Sequence, residues 1–234
     1  MSPTLPLVPP IAQLYSFSYS MAAIFLLLGS MELVVYNGKL SANQARNLIA
    51  VAAAGWTLAA PWLFVDWYWA VSAPLLFIFL NIAVLRWGFL KTLNPGPGRL
   101  GALFFTVSLV AVVLVAWPLS ESGRELRPLV ALAMMPAGFT DACAAFFGRR
   151  YGRGRLPFKR SWIGSLAGLG GALVAYLLTL WVFGLWQPLQ LLLALGGVIV
   201  VTAVELFSPP KLDNLTTALA AGTVGYLILT VGAG

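Results

Sequence analysis

Eight predominantly apolar runs of about 17 residues or more follow one another along this chain of 234 residues, separated by short polar segments. Each is long enough to carry a helix across the roughly 30 Å hydrocarbon layer of a membrane. The runs predict helices over residues 14–35, 48–64, 68–85, 100–117, 128–147, 161–186, 189–207 and 216–232. Seven crossings would also fit the pattern. The expected fold is an all-α polytopic membrane protein, a single domain over residues 1–234. Only 9% of the residues are charged and 60% are hydrophobic, whereas about a quarter of a soluble domain is charged. A soluble enzyme is excluded.

The few charges are unevenly placed. Lys39 and Arg46 fall in the first connection, Arg86, Lys91 and Arg99 in the third, and Lys211 in the seventh. The fifth carries Arg149, Arg150, Arg153, Arg155, Lys159 and Arg160, while Arg124 and Arg127 alone lie on the other side. The positive-inside rule then puts the odd connections in the cytoplasm and both termini outside. The first ten residues carry no basic side chain, so the first helix is expected to remain as an anchor and not to act as a cleavable signal. The tryptophans lie mostly near run ends, where interfacial anchors are expected.

With no histidine and a single cysteine, Cys143, the chain has no imidazole base, no Ser-His or Cys-His nucleophile and no disulfide. Chemistry is left to seven carboxylates, fourteen cations, hydroxyls and amides. Asp66, Glu121 and Glu125 are expected to be solvated in outer connections. Glu32, Asp141, Glu205 and Asp213 fall near the basic helix ends. Asp141 precedes Gly148 by seven residues, which places it about 10 Å inside its helix end at 1.5 Å per residue. A carboxylate at that depth needs a cation or a polar cavity.

The segment GFTDACAAFFGRRYGRGRLPFKRSWIGS, residues 138–165, is the richest in polar groups. Its arginines suit bidentate contact with phosphate oxygens, and its glycines let backbone amides approach an anion. The following helix begins near Ser161, where free amides favour an anion as well. A polybasic patch for anionic lipid is the plainer reading of the cations alone. The buried acid upstream and the hydroxyl-bearing helix start downstream point instead to a polyphosphate site. There is no P-loop and no G-x-G-x-x-G after a strand. Gly164 and Gly168 form a G-x-x-x-G that reads as helix packing, and Asp213 or Asn214 suits the N-cap of the last helix.

Taken in order, these residues resemble a family. Asp141 followed by Gly148-Arg149-Arg150-Tyr151-Gly152, then Lys159-Arg160-Ser161-Trp162-Ile163-Gly164-Ser165, Glu205 and Asp213-Asn214, is similar to the CTP-dependent lipid-alcohol kinases. That family includes phytol kinase, dolichol kinase and yeast-type diacylglycerol kinase. A weaker likeness covers residues 101–108. Asn47 and Ala50 stand where the family pattern has Lys and His, and Thr140 where it has Gly.

The resemblance implies a Mg²⁺-dependent transfer of the γ-phosphoryl group of CTP to the hydroxyl of a membrane isoprenoid alcohol or related lipid. Asp141, Arg149 and Lys159 are the implied catalytic residues. Gly148, Arg150, Gly152, Arg160, Ser161, Ser165 and Asn214 would bind the nucleotide, and Asp141, Glu205 and Asp213 the metal. Expected partners are the lipid alcohol, CTP and the bilayer, with no nucleic acid. The expected setting is a prokaryotic cytoplasmic membrane with the site on its cytoplasmic face. A CTP-dependent lipid cytidylyltransferase and a transporter are the alternatives. The orientation is checked by thiol labelling: in a Cys143→Ser background, Ser120→Cys reacts with an impermeant reagent from outside and Gly154→Cys only from inside.

Overall fold

The structure, a computed structural model, describes residues 9–92, 100–120, 125–153, 156–209 and 212–231. Glu121, Arg124, Arg99, Gly154, Arg155, Lys211 and the side chain of Lys159 lie outside this description. The described residues contain eight long helices and no strand. They are α1 (Pro10–Tyr36), α2 (Ala42–Leu63), α3 (Trp67–Trp87), α4 (Gly101–Ser120), α5 (Leu129–Tyr151), α6 (Trp162–Val182), α7 (Pro188–Phe207) and α8 (Asp213–Val231). Seven of them are long and apolar enough to cross a membrane. The eighth, α2, opens on a polar turn and falls short on hydropathy. The protein is an all-α polytopic membrane protein, as the apolar runs predict.

Helix ends shift from the expected ones for local reasons. α2 starts at Ala42 because Ser41 and Gln44 form a reciprocal capping box: Ser41 Oγ accepts from Gln44 N at 3.3 Å, and Gln44 Oε1 accepts from Ser41 N at 2.9 Å. Arg46 therefore sits on a helix and not in a connection. α5 continues through Arg149 and Arg150 to Tyr151, since arginine is a good helix former and suits a helix C-terminus. α6 ends at Val182, with Gly184 at φ +66° turning the chain toward α7. Serine and threonine hydroxyls within the spans return to carbonyls one turn back, as Ser108 does to Phe104 and Thr179 to Ala175. Such back-bonds keep these hydroxyls from facing apolar surroundings unpaired; Ser165 Oγ of α6 and Thr217 Oγ1 of α8 are buried exceptions without a partner.

α5 is the axis of the bundle. Every residue from Leu129 to Gly138 is buried, and α5 packs against α2, α4, α6, α7 and α8. Its closest partner is α6, because α6 presents a row of glycines. A Cβ at Gly168 would stand 3.2 Å from the Thr140 carbonyl oxygen, and one at Gly171 would stand 2.7 Å from that of Phe139. The packing role expected for Gly164 and Gly168 is thus borne out and extends to Gly171. α1 and α3 lie at the edge, α1 packing against α2 and α3.

At the end of the bundle away from most of the cations, two acids expected to be solvated are instead held. Asp66 Oδ2 accepts from Gln13 Nε2 at 2.7 Å, while Gln13 Oε1 takes the Val65 and Asp66 amides. Glu125 pairs with Arg127 at 2.6 Å, and the arginine also donates to the Phe64 carbonyl. Both contacts tie down connections between helices, 64–66 to α1 and 125–127 to the end of α2. Trp117 departs from the interfacial pattern too: it is fully buried in the core. Gly171→Ala is expected to cost about 1–3 kcal/mol by overpacking. Gly170→Ala, where a Cβ would meet nothing within 4 Å, leaves stability unchanged or raised; melting in detergent compares the two.

Candidate active site

Four helix ends meet at the opposite pole: the C-termini of α5 and α7 and the N-termini of α6 and α8. Their antiparallel alternation brings Asp141, Arg149, Arg160, Ser161, Ser165, Glu205 and Asp213 around one polar cavity of about 430 Å³. Residues drawn from 73 positions of sequence thus share one wall.

Arg160 is the centre of that wall. The Leu156–Arg160 turn, closed by Leu156 N donating to Arg160 O at 2.8 Å, aims it inward, with Phe158 in the left-handed region at φ 56°. Its Nε lies 3.2 Å from Glu205 Oε1 and its Nη2 3.1 Å from Asp213 Oδ2. The glutamate side chain is only 7% exposed, so in an apolar environment its charge requires this partner. Asp141 lies within electrostatic range of Arg46, Arg149, Arg160 and Asp213.

Arg149 is steered from another helix. With its amide oriented to donate to Asn43 O, Asn47 accepts from Arg149 Nη2 at 3.1 Å; the orientation follows from the hydrogen-bond network. Asn47, a departure from the family pattern, thus acts at the site, and only its distance from the basic segment in sequence hid it.

The remaining sequence candidates divide. Ser161 caps α6, its Oγ accepting from Gly164 N at 3.1 Å, and lines the cavity with Ser165. Gly148 and Gly152 also line it, but their bare faces are filled by α6: a Cβ on Gly148 would be 3.2 Å from Ser161 Oγ and 3.3 Å from Gly164 Cα. Close helix packing is therefore their first role. Arg150 is not in this cavity; it lies over the Tyr151 ring, 5.6 Å from its centroid, beside an outer recess with Ser41 and Gln44. Asn214 is not there either: its Nδ2 donates to Gly101 O at 3.0 Å. It lines a narrow passage of about 30 Å³ with Arg46, Asn47, Ala50 and Asp141.

Among the described residues, no three carboxylates converge as a ready metal cluster, because Arg160 stands between Glu205 and Asp213. The donor set still fits Mg²⁺ bound mainly by phosphate. Glu205 Oε2 is buried without a hydrogen-bond partner and Asp141 lines the same cavity. Mg²⁺ commonly takes only one or two carboxylates besides phosphate oxygens and water. Ser165 Oγ and Arg160 Nη1 are likewise buried without partners. Buried polar groups in this state call for a polar occupant.

Two plant proteins share 33% identity with the chain, each over 141 residues: probable phytol kinase 2, chloroplastic, of Glycine max and probable phytol kinase, chloroplastic, of Zea mays. The matches cover 56% of this chain and 46% and 44% of theirs. The chain thus spans less than half the length of the plant relatives it matches. Phytol kinase of Synechocystis sp. is 28% identical over 194 residues, 79% of each protein. The chain is similar to phytol kinases. That agrees with the likeness read from its motifs. No protein-family model matches the chain, and no solved structure matches it.

Removing Arg160 would leave the buried Glu205 and the partly buried Asp213 without their cation. Arg160→Met is expected to cost about 3–5 kcal/mol. Adding Glu205→Met should restore part of that loss, and a double-mutant cycle on melting in detergent measures the coupling.

Proposed function

We propose that the chain is a lipid-alcohol kinase that transfers the γ-phosphoryl group of CTP, with Mg²⁺, to the hydroxyl of a membrane isoprenoid alcohol. The observation that carries this reading is the position of Asp141. It lies at the meeting point of an arginine-lined polar cavity and a narrower, mostly apolar passage, where a polyphosphate and a lipid hydroxyl could face each other. The similarity to phytol kinases supports the same class of acceptor.

Phosphoryl transfer requires mainly positioning and charge neutralisation. Arg149, held by Asn47, would grip phosphate oxygens from the α5 side, and Arg160 Nη1 from the α6 side. The Ser165 hydroxyl, buried without a partner, would add a hydrogen bond. The Asp141 carboxylate would accept the proton as the lipid hydroxyl oxygen forms its bond to the γ-phosphorus. The bond from that phosphorus to the bridging oxygen breaks, and CDP leaves with the bonding pair. Mg²⁺ held near Asp141 and Glu205 would spread the developing charge on the phosphate oxygens. The nucleotide would enter from the pole bearing most of the cations, which charge asymmetry assigns to the cytoplasm.

Asp141→Asn is expected to lower turnover about 10²–10⁴-fold, the range for a lost general base, with melting in detergent unchanged. Arg149→Ala should raise the KM for CTP roughly tenfold, one charge-assisted contact, and leave that for the alcohol nearly constant. Both are read with labelled CTP and a panel of lipid alcohols. Pyrophosphate release in place of CDP would overturn the kinase reading in favour of cytidylyl transfer.

A further inference from the structure

Beyond the passage, on the side away from the polar cavity, α1, α2, α3 and α4 enclose an apolar cleft of about 170 Å³. It adjoins the passage: Ile49, Ala53, Phe77, Phe105 and Thr106 line both. The passage in turn shares Asp141 with the polar cavity. The three spaces thus lie in series, an arginine-rich chamber, the passage beside Asp141 and a hydrocarbon-lined slot, and outline a route.

The slot has a defined far end. Trp56 and Ser20 line it, and Trp56 Nε1 donates to Ser20 Oγ at 3.0 Å, which itself donates to Ser16 O at 2.8 Å. The indole is thus pinned across the gap between α2 and α1 and is no freely moving surface ring. Passage and slot together extend along α2 from Arg46 to Trp56, about 15 Å at 1.5 Å per residue. An extended chain advances about 1.2 Å per bond, as the polypeptide backbone does. The route therefore shelters about a dozen bonds, the main chain of three isoprene units.

We infer that this cleft holds the tail of the alcohol substrate and that Trp56, locked to Ser20, sets the length of tail it accepts. The inference rests on the kinase reading and names the part of the molecule that selects among its acceptors. Ala53 is the smallest of the residues that line both slot and passage, so a larger side chain there would narrow the route. Thr106 spends its hydroxyl on Ala102 O at 2.8 Å and leaves its methyl to the wall. An aliphatic chain meets mostly apolar surface along the slot, and its hydroxyl reaches charged groups only in the passage, where Arg46 and Asp141 lie.

The test uses the full chain in nanodiscs with CTP and geraniol, farnesol, geranylgeraniol and phytol as acceptors. Trp56→Ala is expected to raise the kcat/KM ratio of geranylgeraniol to farnesol about tenfold, and Ala53→Phe to lower kcat/KM for all but the shortest acceptor by a similar factor. The KM for CTP stays constant in both. Chain-length profiles identical to wild type, with activity retained, would overturn the inference while leaving the kinase reading intact. A second arm needs neither a variant nor turnover. Farnesol carrying a photoreactive group at its tail should label α2 between Ile49 and Trp56 in the wild-type chain, and free farnesol should suppress the labelling. Labelling elsewhere, or labelling displaced only by phospholipid, would mean that bulk lipid fills the cleft. If no alcohol is phosphorylated yet the labelling is specific, the kinase reading fails and the tail site stands.

Discussion

Inside an apolar layer a carboxylate must be compensated, and this requirement organises one pole of the bundle. Arg160 satisfies two acids from two helices, Glu205 of α7 and Asp213 of α8, and it does so from the turn that leads into α6. Three helix ends are thereby fixed to one guanidinium. A lysine could not serve both acids with the same geometry, because only the planar fork presents several donors in fixed directions. The arrangement also leaves Arg160 Nη1 and Glu205 Oε2 unengaged, so the group that holds the pole together keeps polar capacity for an occupant of the cavity.

α5 translates that local constraint into a global one. Its first half is buried on every side, and its last three turns carry Asp141, Gly148 and Arg149 into the cavity. The glycine row of α6 lets the two helices approach at backbone distance, which sets the spacing between Asp141 on one and Ser165 on the other. α2 supplies the third boundary. Its capped start places Arg46 near Asp141 and Asn47 on Arg149, and its middle faces the apolar cleft.

Much of this was legible in the sequence because membrane crossing constrains pattern so strongly. Eight apolar runs correspond to the eight long helices, and Asp141, Arg149, Arg160, Glu205 and Asp213 do meet at one pole. The depth of Asp141 followed from counting residues to Gly148. What the sequence concealed was tertiary. Spacing could nominate Arg160, Glu205 and Asp213 but not reveal that they bind one another. The family likeness placed Arg150 and Asn214 with the nucleotide, whereas Arg150 lies over the Tyr151 ring and a carbonyl of α4 captures Asn214. Asn47 passed as a departure from a motif because its partner lies about a hundred positions away. The apolar cleft had no signature at all, since its lining residues are ordinary membrane-helix residues.

The glycines have a consequence for mutational tolerance. A methyl group on Gly152 would collide with the Gly148 carbonyl oxygen and with the Ser161 side chain, and one on Gly164 would press on the Ala144 carbonyl at 2.9 Å. These positions carry no functional group, yet they admit no substitute without moving α5 away from α6 and Asp141 with it. Around this cavity, the strictest positions are ones that perform no chemistry and merely leave room for residues that do. A replacement there would mimic the loss of a catalytic side chain, although the chemistry it disables belongs to a neighbour.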